Sequence, residues 1–320
     1  MSSRRQRLEG WVYRHFPAVA RRRYIRNCAT LLGNERERIF LLSFDCDNPE
    51  DIPAIEGLRP LLKELAVTAT LAVPGEILRR GRDTFRRLRD EGHEFLGHGE
   101  RQHAAIRDGH YVSTLFYHQL DDGALAEDIA QGMNTCRNIL GTPLRGFRIP
   151  HFGHSNHPRE LDRCYRHLPT HGVEFSSSLM PIFAIRHGPL LRVAPGLWEL
   201  PVSPSFERPL QVFDTFAFGF DHRQPGPRFA DYAETFARLT GGEGPSPGTP
   251  EGENSHAASR ERGMPILNLY CDPSQAMAMG KWWIETLYRA HDLGYRFLGL
   301  GEFLDRYRER AVAAEVGLVP

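Results

Sequence analysis

From residue 38 onward, apolar and β-branched stretches alternate with helical patterns. The apolar stretches lie at 39–44, 67–73, 94–97, 145–149, 173–176, 197–202, 265–271 and 295–298. Between them, apolar positions recur at helical spacing over 57–66, 75–90, 124–140, 229–239 and 275–293, the last with Trp282, Trp283, Leu287 and Ala290 on an inward face. Such a βα rhythm predicts an α/β fold of parallel strands, closed into a barrel or wound as an open sheet. One segment breaks it. Residues 241–263 are Gly, Pro, Ser and Glu with almost nothing apolar, and read as a disordered insertion between a helix and the strand at 265.

The chain has 320 residues and 41% hydrophobic content, enough for one large core, as in an α/β barrel, or two modest ones. It divides into a basic helical extension (1–38), a barrel (39–310) and a tail (311–320). No apolar run reaches the roughly 18 residues of a spanning helix, and no apolar h-region follows the first arginines. The five cysteines, Cys28, Cys46, Cys136, Cys164 and Cys271, are widely spaced without a CxxC pair, so neither a disulfide framework nor a zinc knuckle is indicated. A cytoplasmic protein is expected.

Net charge is zero, but residues 1–30 hold eight arginines against Glu9 alone, a net of +7 that leaves −7 for the rest. Trp11, Val12, Phe16, Val19 and Tyr24 give this head an imperfect apolar face. Two readings follow: a helix packed on the outside of the barrel, or a peripheral contact with an anionic membrane or an acidic partner. Nucleic acid is not expected, since the rest of the chain is acidic and carries no recognised motif.

In parallel α/β folds ligands meet the C-terminal ends of the strands. The first such end reads SFDCD, residues 43–47, with Asp45 and Asp47 two residues apart. The next polar cluster, GHEFLGHGERQHA at 92–104, offers His93, Glu94, His98, Glu100 and His103. One carboxylate with two imidazoles is the ligand set of a catalytic zinc site with a fourth position open. Carboxylates and histidines, each just past an apolar run, point to metal chemistry.

Three further strand ends follow: GFRIPHFGH (146–154), GLWELPVSP (196–204) and ILNLYCDPS (266–274). With these motifs in order, residues 39–305 resemble the polysaccharide deacetylase family, the NodB-homology carbohydrate esterases. The resemblance implies a distorted (β/α) barrel and assigns Asp45 as general base, Asp47 as metal ligand and Arg148 as the cation that orients and tunes the base. It implies Asp47 and His98, with one further ligand, around one divalent ion, Zn2+ by donor chemistry, and places Trp198 at the acyl pocket, with His151 and Tyr270 as further substrate-contacting residues.

The chain departs from the family pattern twice. The family spaces its histidine ligands at i and i+4, which here gives His98 and Gln102, with His103 one place late. His103 is favoured because imidazole is the better zinc ligand, and Gln102 is the alternative. Where the family has a His-Pro general acid, this chain has Asp272-Pro273. Asp272 fills that role if burial or nearby negative charge keeps it protonated; His151 and His154 are the other candidates. The function implied is metal-dependent removal of an N-acyl group, acetyl foremost, from an amino sugar in a glycan or a lipid- or nucleotide-linked precursor. The alternatives are an allantoinase-like hydrolase of another non-peptide C–N bond and a catalytically silent glycan-binding member.

Overall fold

The computed structural model describes residues 4–221, 226–241 and 263–311, with side chains from residue 7 onward. The expected insertion at 241–263, apart from its two end residues, and the tail beyond residue 311 lie outside the described residues.

The strands are β1 (Arg38–Asp45), β2 (Thr70–Val73), β3 (Glu94–Gly97), β4 (Ala104–Arg107), β5 (His110–Ser113), β6 (Gly146–Phe147), β7 (Phe175–Ser176), β8 (Leu191–Ala194), β9 (Leu197–Glu199), β10 (Ile266–Cys271) and β11 (Tyr295–Phe297). Around the sheet the order is β10, β1, β2, β3, β6, β7, β9, β8, with β11 also on β1; every pairing but β8–β9 is parallel. The ring closes without a regular ladder. Ser203 N donates to Asn268 O at 2.9 Å, and Asn268 Nδ2 donates to the carbonyls of Leu200 and Pro201 at 2.8 and 3.1 Å. The result is an α/β fold built on a distorted barrel of mostly parallel strands.

β1 is the central strand, buried along nearly its whole length, as expected of a strand covered on both faces. At its start, Phe40 packs against Phe236, Tyr295 and Phe297 with ring centroids 5.9, 6.5 and 5.2 Å away. Truncating a buried aromatic of this kind costs about 3–5 kcal/mol. Helices Asp122–Leu140 and Phe229–Leu239 fall where the apolar spacing put them. The first starts at Asp121, whose carboxylate accepts from Ala124 N at 2.8 Å, and stops at Gly141, whose φ of 71° a side chain would oppose. The patterns at 75–90 and 275–293 are each interrupted: Gly81 separates Gly75–Arg80 from Arg82–Asp90, and Gly280 separates Pro273–Met279 from Lys281–Asp292.

The N-terminal extension forms α1 (Arg4–His15) and α2 (Pro17–Leu32). Here α2 belongs to the main core through Tyr24, Cys28, Leu31 and Leu32. The Tyr24 hydroxyl lies 2.8 Å from Ser203 Oγ and donates to Ile266 O at 3.0 Å, so α2 seals the ring beside the irregular closure. By contrast α1 is held by a small satellite cluster, in which Tyr13 meets Ala20 and Ile185 with Val12, Ile182 and Leu210 around them.

Candidate active site

Asp45 ends β1, and Asp47 follows two residues later, so both carboxylates emerge at the same rim. Other parallel strands of the ring bring further groups to that rim: Asp272 follows β10, which pairs with β1, while His98 follows β3 and Arg148 follows β6, farther round the sheet. Asp45, Asp47, His98, Arg148 and Asp272 are all buried.

Arg148 is completely enclosed, and its guanidinium is bonded on every nitrogen. Nε donates to Ser177 O (2.9 Å), Nη1 to Asp45 Oδ1 (2.5 Å), and Nη2 to Ser43 Oγ (2.9 Å) and Ser177 Oγ (3.0 Å). A buried cation is tolerable only when paired and hydrogen-bonded in this way. Its effect is to hold the Asp45 carboxylate in one orientation.

Asp47, His98 and His103 form the single group, among the described residues, with the geometry to hold a metal ion; their ligand atoms lie within 4.8 Å of one another. Nε2 of His98 is 3.2 Å and Nδ1 of His103 is 3.5 Å from Asp47 Oδ1. These three atoms are buried, and none has hydrogen-bond geometry to any partner. Three orphaned buried donor atoms facing one point fit a divalent cation better than they fit one another. The second contacts set the ligand forms. Nδ1 of His98 lies 2.7 Å from Arg148 O, which makes it the protonated nitrogen and turns the Nε2 lone pair toward Asp47. Burial pushes the Asp47 carboxyl up, but the nearby imidazoles of His103 and His98 outweigh it and hold the carboxyl well below the usual range.

Gln102 is turned away from this point: its Nε2 donates to Ala104 O at 2.6 Å and its backbone N to Glu76 Oε2 at 2.8 Å. His103 therefore occupies the third place, at the root of the antiparallel hairpin β4–β5. From the other strand of that hairpin Tyr111 reaches back and donates its hydroxyl to Asp47 Oδ2 at 2.7 Å. Sequence reasoning missed Tyr111. Its signal was Asp108-Gly109, at φ 50° and 77°, a pair that a two-residue hairpin turn demands.

Asp272 accepts from Gln275 Nε2 at 2.6 Å, while Gln275 Oε1 accepts from Thr215 Oγ1 at 2.8 Å. Burial, then the charges of Asp47, Asp51, Asp45 and Asp214, push its carboxyl well above the ordinary range. His151 goes the other way. Burial, followed by the charge of His103, takes its imidazole down to about 4, and its Nε2 lies 2.9 Å from His103 O.

A cleft with about 230 Å³ of water-accessible space opens over these groups, lined by Asp45, Asp47, Tyr111, His151, Tyr270 and Asp272, with His154 also on its wall. Tyr270 donates to Asp214 Oδ2 at 3.0 Å. Trp198 is not among the residues lining the cleft. The two-residue alternation of β9 turns Glu199 inward, where it accepts from Tyr165 Oη (2.6 Å) and Ser178 N (3.1 Å), and leaves Trp198 half-buried on the other face. His93 and Glu94 serve the scaffold: His93 Nδ1 accepts from Ala69 N at 3.1 Å, and Glu94 accepts from the backbone of Gly301 and Glu302 at 2.7 and 2.9 Å. Glu100 pairs with Arg79.

Residues 33–165 match the family model described as polysaccharide deacetylase. Over that stretch the chain is similar to the polysaccharide deacetylases. Members of that family are hydrolases of non-peptide carbon–nitrogen bonds. A solved structure of a candidate polysaccharide deacetylase from Mycobacterium smegmatis is 18% identical, aligns over 85% of this chain and 91% of its own, and has a TM-score of 0.56. It supports the fold. The peptidoglycan deacetylase PdaC of Bacillus subtilis is 13% identical over 86% of this chain and 93% of its own, with a TM-score of 0.47. A CE4 family pseudoenzyme from Bacillus anthracis is 12% identical over 84% and 66%, with a TM-score of 0.48. No curated protein matches the chain in sequence.

Proposed function

We propose that the protein hydrolyses the N-acetyl group of an amino sugar in a glycan or glycan precursor, with Asp45 as general base, Asp272 as general acid, and Asp47, His98 and His103 holding one divalent ion, Zn2+ by its preference for this donor set. The observation that carries the reading is the three orphaned ligand atoms of Asp47, His98 and His103 beside an Asp45 carboxylate fixed by Arg148. When bound, the ion polarises the acyl oxygen and acidifies water.

The chain's own groups supply the proton traffic. Asp45, bonded to Arg148 rather than directed at the histidines, is free to take the proton of the attacking water. Water's oxygen joins the acyl carbon, the C–N bond breaks, and the nitrogen leaves with a proton from an acid. Asp272 suits that step because burial, which is its largest influence, raises its pKa well above the ordinary carboxyl range and so favours the protonated form. His151, down at about 4, is uncharged near neutral pH and has no imidazolium proton to give. It suits substrate contact instead, with Tyr270 and His154 along the same cleft. Asp45, Asp272 and Arg148 have no use in a silent binding module, which favours an enzyme.

We place the reaction on the cytoplasmic face of a membrane, on a lipid-linked glycan. Five free, buried cysteines suit a reducing compartment, and among the described residues no helix is long and apolar enough to cross a membrane. The test is acetate release from a panel of N-acetylated sugars, free and lipid-linked, with and without added Zn2+. Metal-stimulated release from at least one sugar is expected. Release from none, with hydrolysis of a cyclic ureide instead, would transfer the protein to the allantoinase-like reading.

A further inference from the structure

Four large apolar side chains at the N-terminus face solvent: Leu8, Trp11, Phe16 and Val19 are 62, 52, 53 and 46% exposed. They are one feature. Leu8 and Trp11 share a face of α1 at i, i+3 spacing. Trp11 stacks on His15 with centroids 4.6 Å apart and meets Phe16 edge-on at 6.1 Å, and Val19 N donates to Phe16 O at 2.9 Å at the start of α2. The ridge thus runs across the α1–α2 corner. Arginines flank it: Arg7, Arg14, Arg22 and Arg26 are exposed, and among the described residues none has an acidic partner. The single carboxylate of the first 30 residues is turned inward, since Glu9 pairs with Arg186 at 2.9 Å and Arg23 at 3.5 Å. An outer face that is apolar along its crest and uniformly cationic at its edges complements an anionic bilayer, not water and not a second copy carrying the same charge.

The ridge also has a definite place relative to the chemistry. α1 packs on Ile182 and Leu210. Met180, two residues before the first, and Val212, two residues after the second, both line the catalytic cleft. The head therefore packs on two segments that lead directly into the cleft wall. We infer that the Leu8–Trp11–Phe16–Val19 ridge docks on an anionic membrane surface and sets the mouth of the active site at headgroup level. The surface itself stands on its own observations; the lipid-linked substrate it would present rests on the reading in the preceding section.

The experiment is sedimentation of the full chain with phosphatidylcholine vesicles lacking or containing phosphatidylglycerol, at low salt. Three proteins are compared: wild type, Trp11→Ser/Phe16→Ser, and Arg14→Ser/Arg22→Ser. Wild type is expected to pellet with anionic vesicles only. Each arginine removed should lower partitioning about fivefold, and the apolar double variant should stay in the supernatant. Both variants should keep the wild-type melting temperature and turnover of a water-soluble N-acetylated oligosaccharide, while losing turnover of a vesicle-embedded, lipid-linked amino sugar. Equal recovery with neutral and anionic vesicles, or undiminished binding by the variants, overturns the proposal. So does a wild type that ignores vesicles but is a dimer that Trp11→Ser/Phe16→Ser makes monomeric, since a second copy then covers the ridge. Vesicle binding with no acetate released from any substrate keeps the docking surface and removes the deacetylase reading.

Discussion

Arg148 serves His98 through its main chain and Asp45 through its side chain: the carbonyl oxygen lies 2.7 Å from His98 Nδ1, and the guanidinium lies 2.5 Å from Asp45 Oδ1. The proposed base and a proposed ligand are thus registered to one residue, by chemically separable contacts. Arg148→Lys should keep the backbone contact and hence the metal. It cannot reproduce four donated bonds in a planar fork, so kcat should fall by about 100-fold or more, as for loss of a general base's positioning. Arg148→Ala should in addition lower stability by about 3–5 kcal/mol, the cost of breaking a buried pair from one side. Metal content, kcat and denaturant midpoints on the two variants separate these effects.

The ligand assignment predicts an asymmetric pattern of metal loss. His103→Ala should empty the site and Gln102→Ala should leave it filled, because the Gln102 amide is engaged with Ala104 O. Asp45→Asn should hold its metal and lose its activity. Metal analysis of purified variants decides it, and loss of metal in Gln102→Ala with retention in His103→Ala would reverse the assignment.

Tyr111 bonds one carboxylate oxygen of Asp47 and so leaves the other for the ion. Tyr111→Phe removes that restraint without removing a ligand. Affinity for Zn2+ should drop about 10–100-fold, the usual cost of losing a group that orients a ligand. Competition titration against a chelating dye measures it without reference to turnover.

The pH profile should carry the mark of a carboxylic acid rather than an imidazole. Asp272 has a folded-state pKa raised above its unfolded value, so its proton is present at low pH and is lost as pH rises through the raised value. Activity should decline on that basic limb. The same protonation contributes to stability fully below the unfolded pKa and progressively less as pH climbs to the folded one. Asp272→Asn should abolish most turnover, keep metal, and flatten the fall in melting temperature over that window. A profile with an unchanged basic limb in Asp272→Asn would pass the acid's role to another group.

The parallel strands and two of the long helices were legible because their apolar runs are long and uninterrupted, and Asp45, Asp47, His98, Arg148 and Asp272 were legible because they directly follow such runs. β6 and β7 are two residues each, too short for periodicity to bound them, and the strand patterns at 145–149 and 173–176 overran them. Gly280 sits at φ 56°, which no side-chain pattern announces, so 275–293 read as one helix. Trp198, assigned to the acyl pocket by resemblance alone, lies outside the cleft lining, because strand parity turns Glu199 inward instead. The helices Pro158–Tyr165, Pro181–His187 and Leu300–Tyr307 went unread; each is only two turns or so long, and the first two begin at a proline that also reads as a turn.

The hairpin β4–β5 carries His103 at its root and Tyr111 on its return strand, and the tight turn at Asp108-Gly109 joins the two strands in register. Two strands of four residues are marginal by themselves, so ordering the hairpin and binding the ion are one thermodynamic event seen from two ends. Affinity for the cation then becomes tunable from the turn. Replacing Gly109 by a β-branched residue, which resists positive φ, would weaken the ion's grip from beyond its coordination sphere, while slack amide exchange across 104–113 would betray the empty state.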